Sequence, residues 1–309
     1  MRIVALATKT DFRGIKIREV VLIEGEHGWG EFSPFLEYSP QECAPWLASA
    51  IEAASKPRPP LLRPKIAVNA TLPAVTNSGD VAEILSWFPG CDVIKIKVGN
   101  NAGQDFKRIN HALAITPDAK IRLDVNGLWS VEEARSFIEA LQTRVGKDRI
   151  DYIEQPCGTI EELRELKSKL NGTVRISGDE VLRKARDPFS IDLVNAVDVL
   201  MLKVQPLGGI ERSMALAAHH GLPVVVSSAL ESAVGISYGL HLAASLENLA
   251  GACGLATGAL LADDVAALVI EGGAIVVSEV TPDYQGLEVS PVRYKWWQDR
   301  VMATWKHLA

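Results

Sequence analysis

The stretch Ile121-Arg122-Leu123-Asp124-Val125-Asn126 decides the fold, because its alternation puts polar side chains on one face and apolar ones on the other. Asp92-Val93-Ile94-Lys95-Ile96-Lys97-Val98 repeats the pattern one unit earlier, with Lys95 and Lys97 sharing a face and Ile96 opposite. Working outward, apolar β-branched runs recur at Ile66–Asn69, Ile150–Glu154, Val174–Ser177, Val197–Val204 and Leu222–Ser227, with a weaker eighth near Cys253–Leu261. Amphipathic stretches lie between them, among them Ser130–Gln142, Thr159–Leu170 and Ile210–His220, the last stopped by Gly221. Strands spaced by such helices imply right-handed βαβ units and a parallel sheet. Eight of them fit a TIM-type barrel better than an open doubly wound sheet, and no glycine-rich phosphate loop follows the first strand.

The flanks read differently. Met1–Thr8 and Arg18–Glu24 are β-like, and Pro40–Ser55 is a helix candidate. Lys56-Pro57-Arg58-Pro59-Pro60 cannot be a regular helix or an inner strand, so it is the natural linker. We expect an α/β protein whose α+β capping domain spans residues 1–64 plus about 273–309, and whose barrel spans 65–272. The run Ala274–Val280 is expected to rejoin the amino-terminal domain.

Composition excludes several classes. The 309 residues are 48% hydrophobic and 23% charged, which is ordinary globular chemistry. A net charge of −6 without a basic stripe argues against nucleic acid and anionic membranes as partners. Cys43, Cys91, Cys157 and Cys253 form no CxxC pair, so neither a disulfide framework nor a thiolate metal site is expected. The first residues lack the apolar run of a secretory signal, and the longest uncharged stretch, Ser213–Leu230, is broken by Gly221 and Pro223. A cytoplasmic protein is the expectation.

Charge gathers at the carboxyl ends of the apolar runs, where barrel enzymes build their active sites. Lys97, Asp124, Glu154, Asp179 and Lys203 are separated by 27, 30, 25 and 24 residues, about one βα unit per step. Taken singly, each could cap a helix or make a structural ion pair. Together they put three carboxylates on consecutive strands at one mouth, with a lysine on either side. A dry carboxylate ring repels itself, and a hard divalent cation relieves that; three oxygen ligands with open positions suit Mg²⁺, with Mn²⁺ as a substitute. A lysine beside a dication is a natural general base.

Lys95-Ile96-Lys97, Asp124-Val125-Asn126, Glu154-Gln155-Pro156, Gly178-Asp179-Glu180 and Lys203-Val204-Gln205-Pro206 resemble the motifs of the enolase superfamily, in its muconate-lactonizing branch. Gly28–Phe35, Val68–Thr71, Leu202–Gly209, Val224–Glu231 and Cys253–Thr257 are most similar to the o-succinylbenzoate synthase family, in its actinobacterial form. The resemblance implies an enolase-like (β/α)7β barrel under an α+β cap, with Mg²⁺ held by Asp124, Glu154 and Asp179. It implies a lyase of menaquinone biosynthesis, which dehydrates 2-succinyl-6-hydroxy-2,4-cyclohexadiene-1-carboxylate to 2-succinylbenzoate with syn geometry. Lys97 would take the α-proton and return it to the departing hydroxyl, and Lys203 would stabilise the enediolate from the opposite face. The alternative within the superfamily is an N-acylamino acid racemase or dipeptide epimerase using the same lysines. Two readings from outside it are a Schiff-base lyase acting through Lys203 and a silent scaffold.

Other positions carry expectations of their own. Lys95, Asn126 and Glu180 stand where they could tune the metal and the lysines, against ordinary hydrogen bonding. Arg13, Arg122, Ser227, Ser228 and Gly254 are candidates to meet an anionic small-molecule substrate. Phe12-Arg13-Gly14 and Glu31–Phe35 serve either as lid or as framework. His219-His220 is read as a helix end and Gly208-Gly209 as a helix opening. The chain is expected to be a monomer or a small homo-oligomer, and the short cap makes lid contacts of longer relatives a poor guide.

Overall fold

The computed structural model describes residues 1–308, so residue 309 of the expected tail lies outside it. The chain opens with strands β1 (Arg2–Phe12), β2 (Ile15–Gly25) and β3 (Gly28–Phe32), an antiparallel sheet in the order β1-β2-β3, followed by helix α1 (Pro40–Ser55). Ser39 and Glu42 form a capping box at the start of α1, with Pro40 in its first turn. The helix lies so close to the sheet that a Cβ at Gly30 would fall 1.9 Å from the Ala50 carbonyl oxygen, and one at Gly25 2.3 Å from that of Ala54. Only glycine permits this approach.

After the proline-rich linker come β4 (Lys65–Ala67), β5 (Ala70–Leu72), α2 (Ser78–Ser86), β6 (Val93–Lys97), α3 (Ala102–Ile115), β7 (Lys120–Asp124) and α4 (Val131–Val145). They are followed by β8 (Ile150–Glu154), α5 (Ile160–Leu170), β9 (Ile176–Gly178), the single turn α6 (Glu180–Arg183), β10 (Val199–Lys203) and α7 (Ile210–His220). The last elements are β11 (Val224–Ser227), α8 (Ala233–Ser245), β12 (Ala274–Val276) and α9 (Pro291–Trp305). Capping boxes at Ser130/Glu133 and Thr159/Glu162 start α4 and α5, and Gly221 in the left-handed region ends α7.

Strands β5 to β11 form one parallel sheet in sequence order. The eighth run is not a full strand. Cys253 bridges to Val68 beside β5, and Gly254 bridges to Ser227 of β11, which joins the two edges and closes the barrel. Alternation works as the sequence predicts: Ile94, Ile96, Ile121 and Leu123 face the helix layer core, while Tyr152, Val199, Met201 and Val225 cluster separately inside the barrel.

Two expectations shift. The run Ile66–Asn69 is split: Ile66 belongs to β4, which pairs antiparallel with β12, and the first barrel strand is β5. The tail therefore covers the edge of β4 before it reaches the cap, where Ala5 donates to Leu287, Val289 donates to Ile3, and α9 packs on α1. The expected boundaries at 64/65 and 272/273 thus cut across one ribbon.

Cap and barrel are stitched by helix ends. Glu52 of α1 accepts from the amides of Ile210 (2.6 Å) and Glu211 (3.3 Å) at the start of α7, which has no side-chain cap of its own. Glu31 of β3 accepts from the amides of Ser232 (3.1 Å) and Gly235 (3.0 Å) at the start of α8. Two cap carboxylates thus occupy the positive ends of consecutive barrel helices. No helix among the described residues is long and apolar enough to cross a membrane.

Candidate active site

The carboxyl ends of β6 to β10 bring the predicted charges together. Lys97 stands opposite Asp124, and Asp124 opposite Glu154, in strand register. Lys97 Nζ lies 2.8 Å from Asp124 Oδ2 and donates to Asn126 Oδ1. Lys95 Nζ donates to both Glu154 oxygens at 3.2 Å and lies 3.3 Å from Asp124. Across the mouth, Lys203 Nζ donates to Asp179 Oδ2 at 2.5 Å. Asn126 adopts a positive φ of 55° as the chain leaves β7, and its Nδ2 donates to Glu180 Oε1 at 3.0 Å.

Burial sets the electrostatics. Lys95, Asp124, Glu154, Asp179 and Lys203 are all buried. Burial alone would raise Asp124, but Lys97 and then Lys95 hold it below the usual carboxylate range. Asp179 is likewise lowered, with Lys203 and Arg183 overcoming burial. Glu154 goes the other way: burial first, then the charge of Asp124, push it up to about 7. Burial opposes the charge on Lys95, and Glu154 and Asp124 outweigh it, so that lysine is raised. The three carboxylates share the counter-charges of Lys95, Lys97, Lys203 and Arg183 unequally, which is why Glu154 moves opposite to Asp124 and Asp179.

The carboxylates are drawn toward the lysines, and among the described residues no three His, Cys, Asp or Glu side chains stand at metal-holding spacing. The donor chemistry nevertheless fits a hard dication. All three candidate ligands are buried oxygen donors, and Asp124 Oδ1 is buried with no hydrogen-bond partner.

The mouth is a cavity of about 30 Å³ between the lysines and a wall of Phe12, Arg13, Phe35, Ser227, Ser228, Ala229 and Gly254. That is room for about one water molecule. A second cavity of about 420 Å³ adjoins it and shares Phe12, Arg13, Lys97 and Asn126. Arg13, Ser227, Ser228 and Gly254 are therefore brought to the mouth, although the Ser228 hydroxyl is engaged by Gly254 O (2.6 Å) and Thr257 Oγ1 (2.8 Å). Arg122 is not brought there. Its guanidinium sits at the opposite end of the barrel, donating to Asp151 (2.7 Å), Asn69 (3.0 Å) and Ala252 O (2.6 Å) and lying over the Tyr152 ring.

Arg183 is the residue that sequence reasoning missed. It lines the mouth, donates to both oxygens of Asp179 at 3.1 Å and to Glu180 at 2.6 Å, and reaches Tyr38 of the cap at 3.0 Å. The Asp179–Arg183 spacing of four was its available signal.

Comparison with known proteins gives a consistent picture. Residues 3–54 match the enolase N-terminal domain-like family and residues 81–291 the enolase C-terminal domain-like family. An o-succinylbenzoate synthase of Mycobacterium ulcerans is 46% identical over 98% of this chain and 92% of its own length. That of Mycolicibacterium smegmatis is 44% identical over 98% and 94%. Among solved structures, the L-Ala-D/L-Glu epimerase from Bacillus subtilis superposes with a TM-score of 0.74 at 21% identity, covering 89% of this chain and 94% of that one. A dipeptide epimerase from Enterococcus faecalis, complexed with Mg and L-Leu-L-Tyr, gives 0.72 at 21% identity over 91% and 96%. At that identity the two structures speak for the fold alone.

Proposed function

This chain belongs to the o-succinylbenzoate synthase family of the enolase superfamily, and from that premise we propose that its barrel mouth carries out the dehydration which forms 2-succinylbenzoate from 2-succinyl-6-hydroxy-2,4-cyclohexadiene-1-carboxylate. Near-full-length identity to synthases supports this over racemisation or epimerisation. The observation that carries the assignment to residues is the placement of Lys97 and Lys203 on strands flanking Asp124, Glu154 and Asp179 in the sheet order.

Lys97, as the neutral amine, takes the proton α to the ring carboxylate. The electron pair left behind moves into the carboxylate and then expels the neighbouring hydroxyl. Lys97 returns its proton to that hydroxyl, which leaves as water, and the ring becomes aromatic. One base serving both steps keeps proton and leaving group on the same face, hence syn geometry. Lys203, kept protonated, faces the charge from the other side. Membership of the superfamily implies a divalent cation; we take it to be Mg²⁺, held by Asp124, Glu154 and Asp179, which would supply Lewis-acid stabilisation of the substrate carboxylate. Lys95, Asn126 and Glu180 orient these groups through the hydrogen bonds described above. The same reading takes an anionic small molecule as the partner, the cytoplasm as the location and a monomer or small homo-oligomer as the state.

The test is ultraviolet detection of aromatisation with Mg²⁺ and again with excess EDTA. Fast turnover that EDTA abolishes is expected. An intact, Mg²⁺-loaded protein that leaves this diene untouched would overturn the proposal, and α-proton exchange of N-acylamino acids and dipeptides in D₂O would then be measured.

A further inference from the structure

Arg18 of β2 is buried, 3% exposed, and makes no ion pair among the described residues. All of its hydrogen bonds go to backbone carbonyls: Ser33 in the cap, and Leu230 (3.0 Å) and Ala229 (3.3 Å) in the loop after β11. Leu230 holds a positive φ of 63°, a conformation that a buried leucine keeps only when its surroundings impose it. The two segments tied by this one guanidinium both form the cavity wall, through Phe35 on the cap side and Ser228 and Ala229 on the barrel side. Phe35 also has Arg18 5.0 Å from its ring centroid and Arg13 4.4 Å from it. A planar fork can serve carbonyls from two domains at once, which a lysine ammonium on its flexible stem does less well.

We propose that Arg18 is a positioning residue that sets the wall of the substrate cavity by locking the cap segment Ser33–Phe35 to the left-handed turn at Ala229–Leu230. It touches no reacting atom and acts through Phe35, Ser228 and Ala229. The kinetic consequence rests on the dehydration proposed above; the structural one does not.

The test compares Arg18→Lys, with Arg18→Gln as a second variant, against Glu52→Gln, which loosens cap docking at α7 without contacting the wall. For the Arg18 variants we expect KM to rise on the order of tenfold while kcat stays within about threefold of wild type. Hydrogen exchange should quicken in segments 33–37 and 228–232. Glu52→Gln should lower Tm and leave KM in place. Unchanged KM and exchange in the Arg18 variants would overturn the proposal. So would an equal KM rise in Glu52→Gln, since Arg18 would then be only one of several docking contacts. If wild type fails to turn over the diene, the functional reading falls, and the exchange pattern alone decides on the wall.

Discussion

The mouth and the floor of the barrel are built from the same strands with the same alternation, yet they treat charge in opposite ways. At the floor, Arg122 finds a carboxylate, an amide and a carbonyl, and its cation rests on Tyr152. At the mouth, two residues along the same strand, Asp124 keeps a buried oxygen without a partner, and Glu154 is pushed up to about 7 by burial and its acidic neighbours. A charge that is fully partnered holds the fold. A group left with an unpartnered oxygen or a displaced pKa is available for chemistry.

This contrast is easiest to break at the mouth. Lys97→Ala and Lys203→Ala should each lower kcat by about 10²–10⁴-fold, with Tm and metal affinity close to wild type. Asp124→Ala should lose metal affinity as well, read by calorimetry. Full activity in either lysine variant would place the chemistry elsewhere. Arg122→Met makes the opposite trade. It leaves Asp151 to Arg175 alone and takes the donor from the Asn69 and Ala252 oxygens, so we expect a loss of roughly 1–3 kcal/mol in denaturant unfolding, while kcat of the folded fraction stays near wild type. A selective collapse of kcat in that variant would move Arg122 into the catalytic machinery.

At the cap seam a smaller effect is expected. Burial and the charge of Glu31 push the Glu231 carboxyl up to about 7 from an ordinary 4.5. The folded chain therefore holds a proton that the unfolded chain has released between these values. This contribution to stability is fully present below the ordinary value and is lost as pH rises through about 7. Glu231→Gln should flatten the fall of stability across that window by up to about 1.4 kcal/mol per pH unit. An unchanged slope would show that Glu231 does not hold that proton.

The period of two made much of the site legible. It put Lys95, Lys97 and Asp124 inside, and the spacing of one βα unit put Glu154, Asp179 and Lys203 at the same end. What alternation cannot give is depth along a strand. Arg122 shares a face with Asp124 and is a candidate for an anionic substrate, but the register places it at the other end. The split of Ile66–Asn69 was hidden for a related reason: the strand's partner, β12, lies some 200 residues away, and local pattern carries no memory of distant pairing. Glu52 reads locally as an unremarkable acidic residue, and Glu31 only as part of the Glu31–Phe35 stretch that serves as lid or framework. Their role exists only once α8 and α7 arrive.

On the ribosome, these distant partners arrive late. The cap's own sheet and helix emerge first, yet the amides that Glu52 and Glu31 receive belong to residues 210–235, and the backbone that completes β1 belongs to residues 287–289. At about 5–20 residues per second, the first segment must wait on the order of tens of seconds before its last neighbours exist. The nascent cap is thus a half-finished surface for most of synthesis: the two helix starts dock it on the barrel, and the tail at 287–289 completes its sheet last.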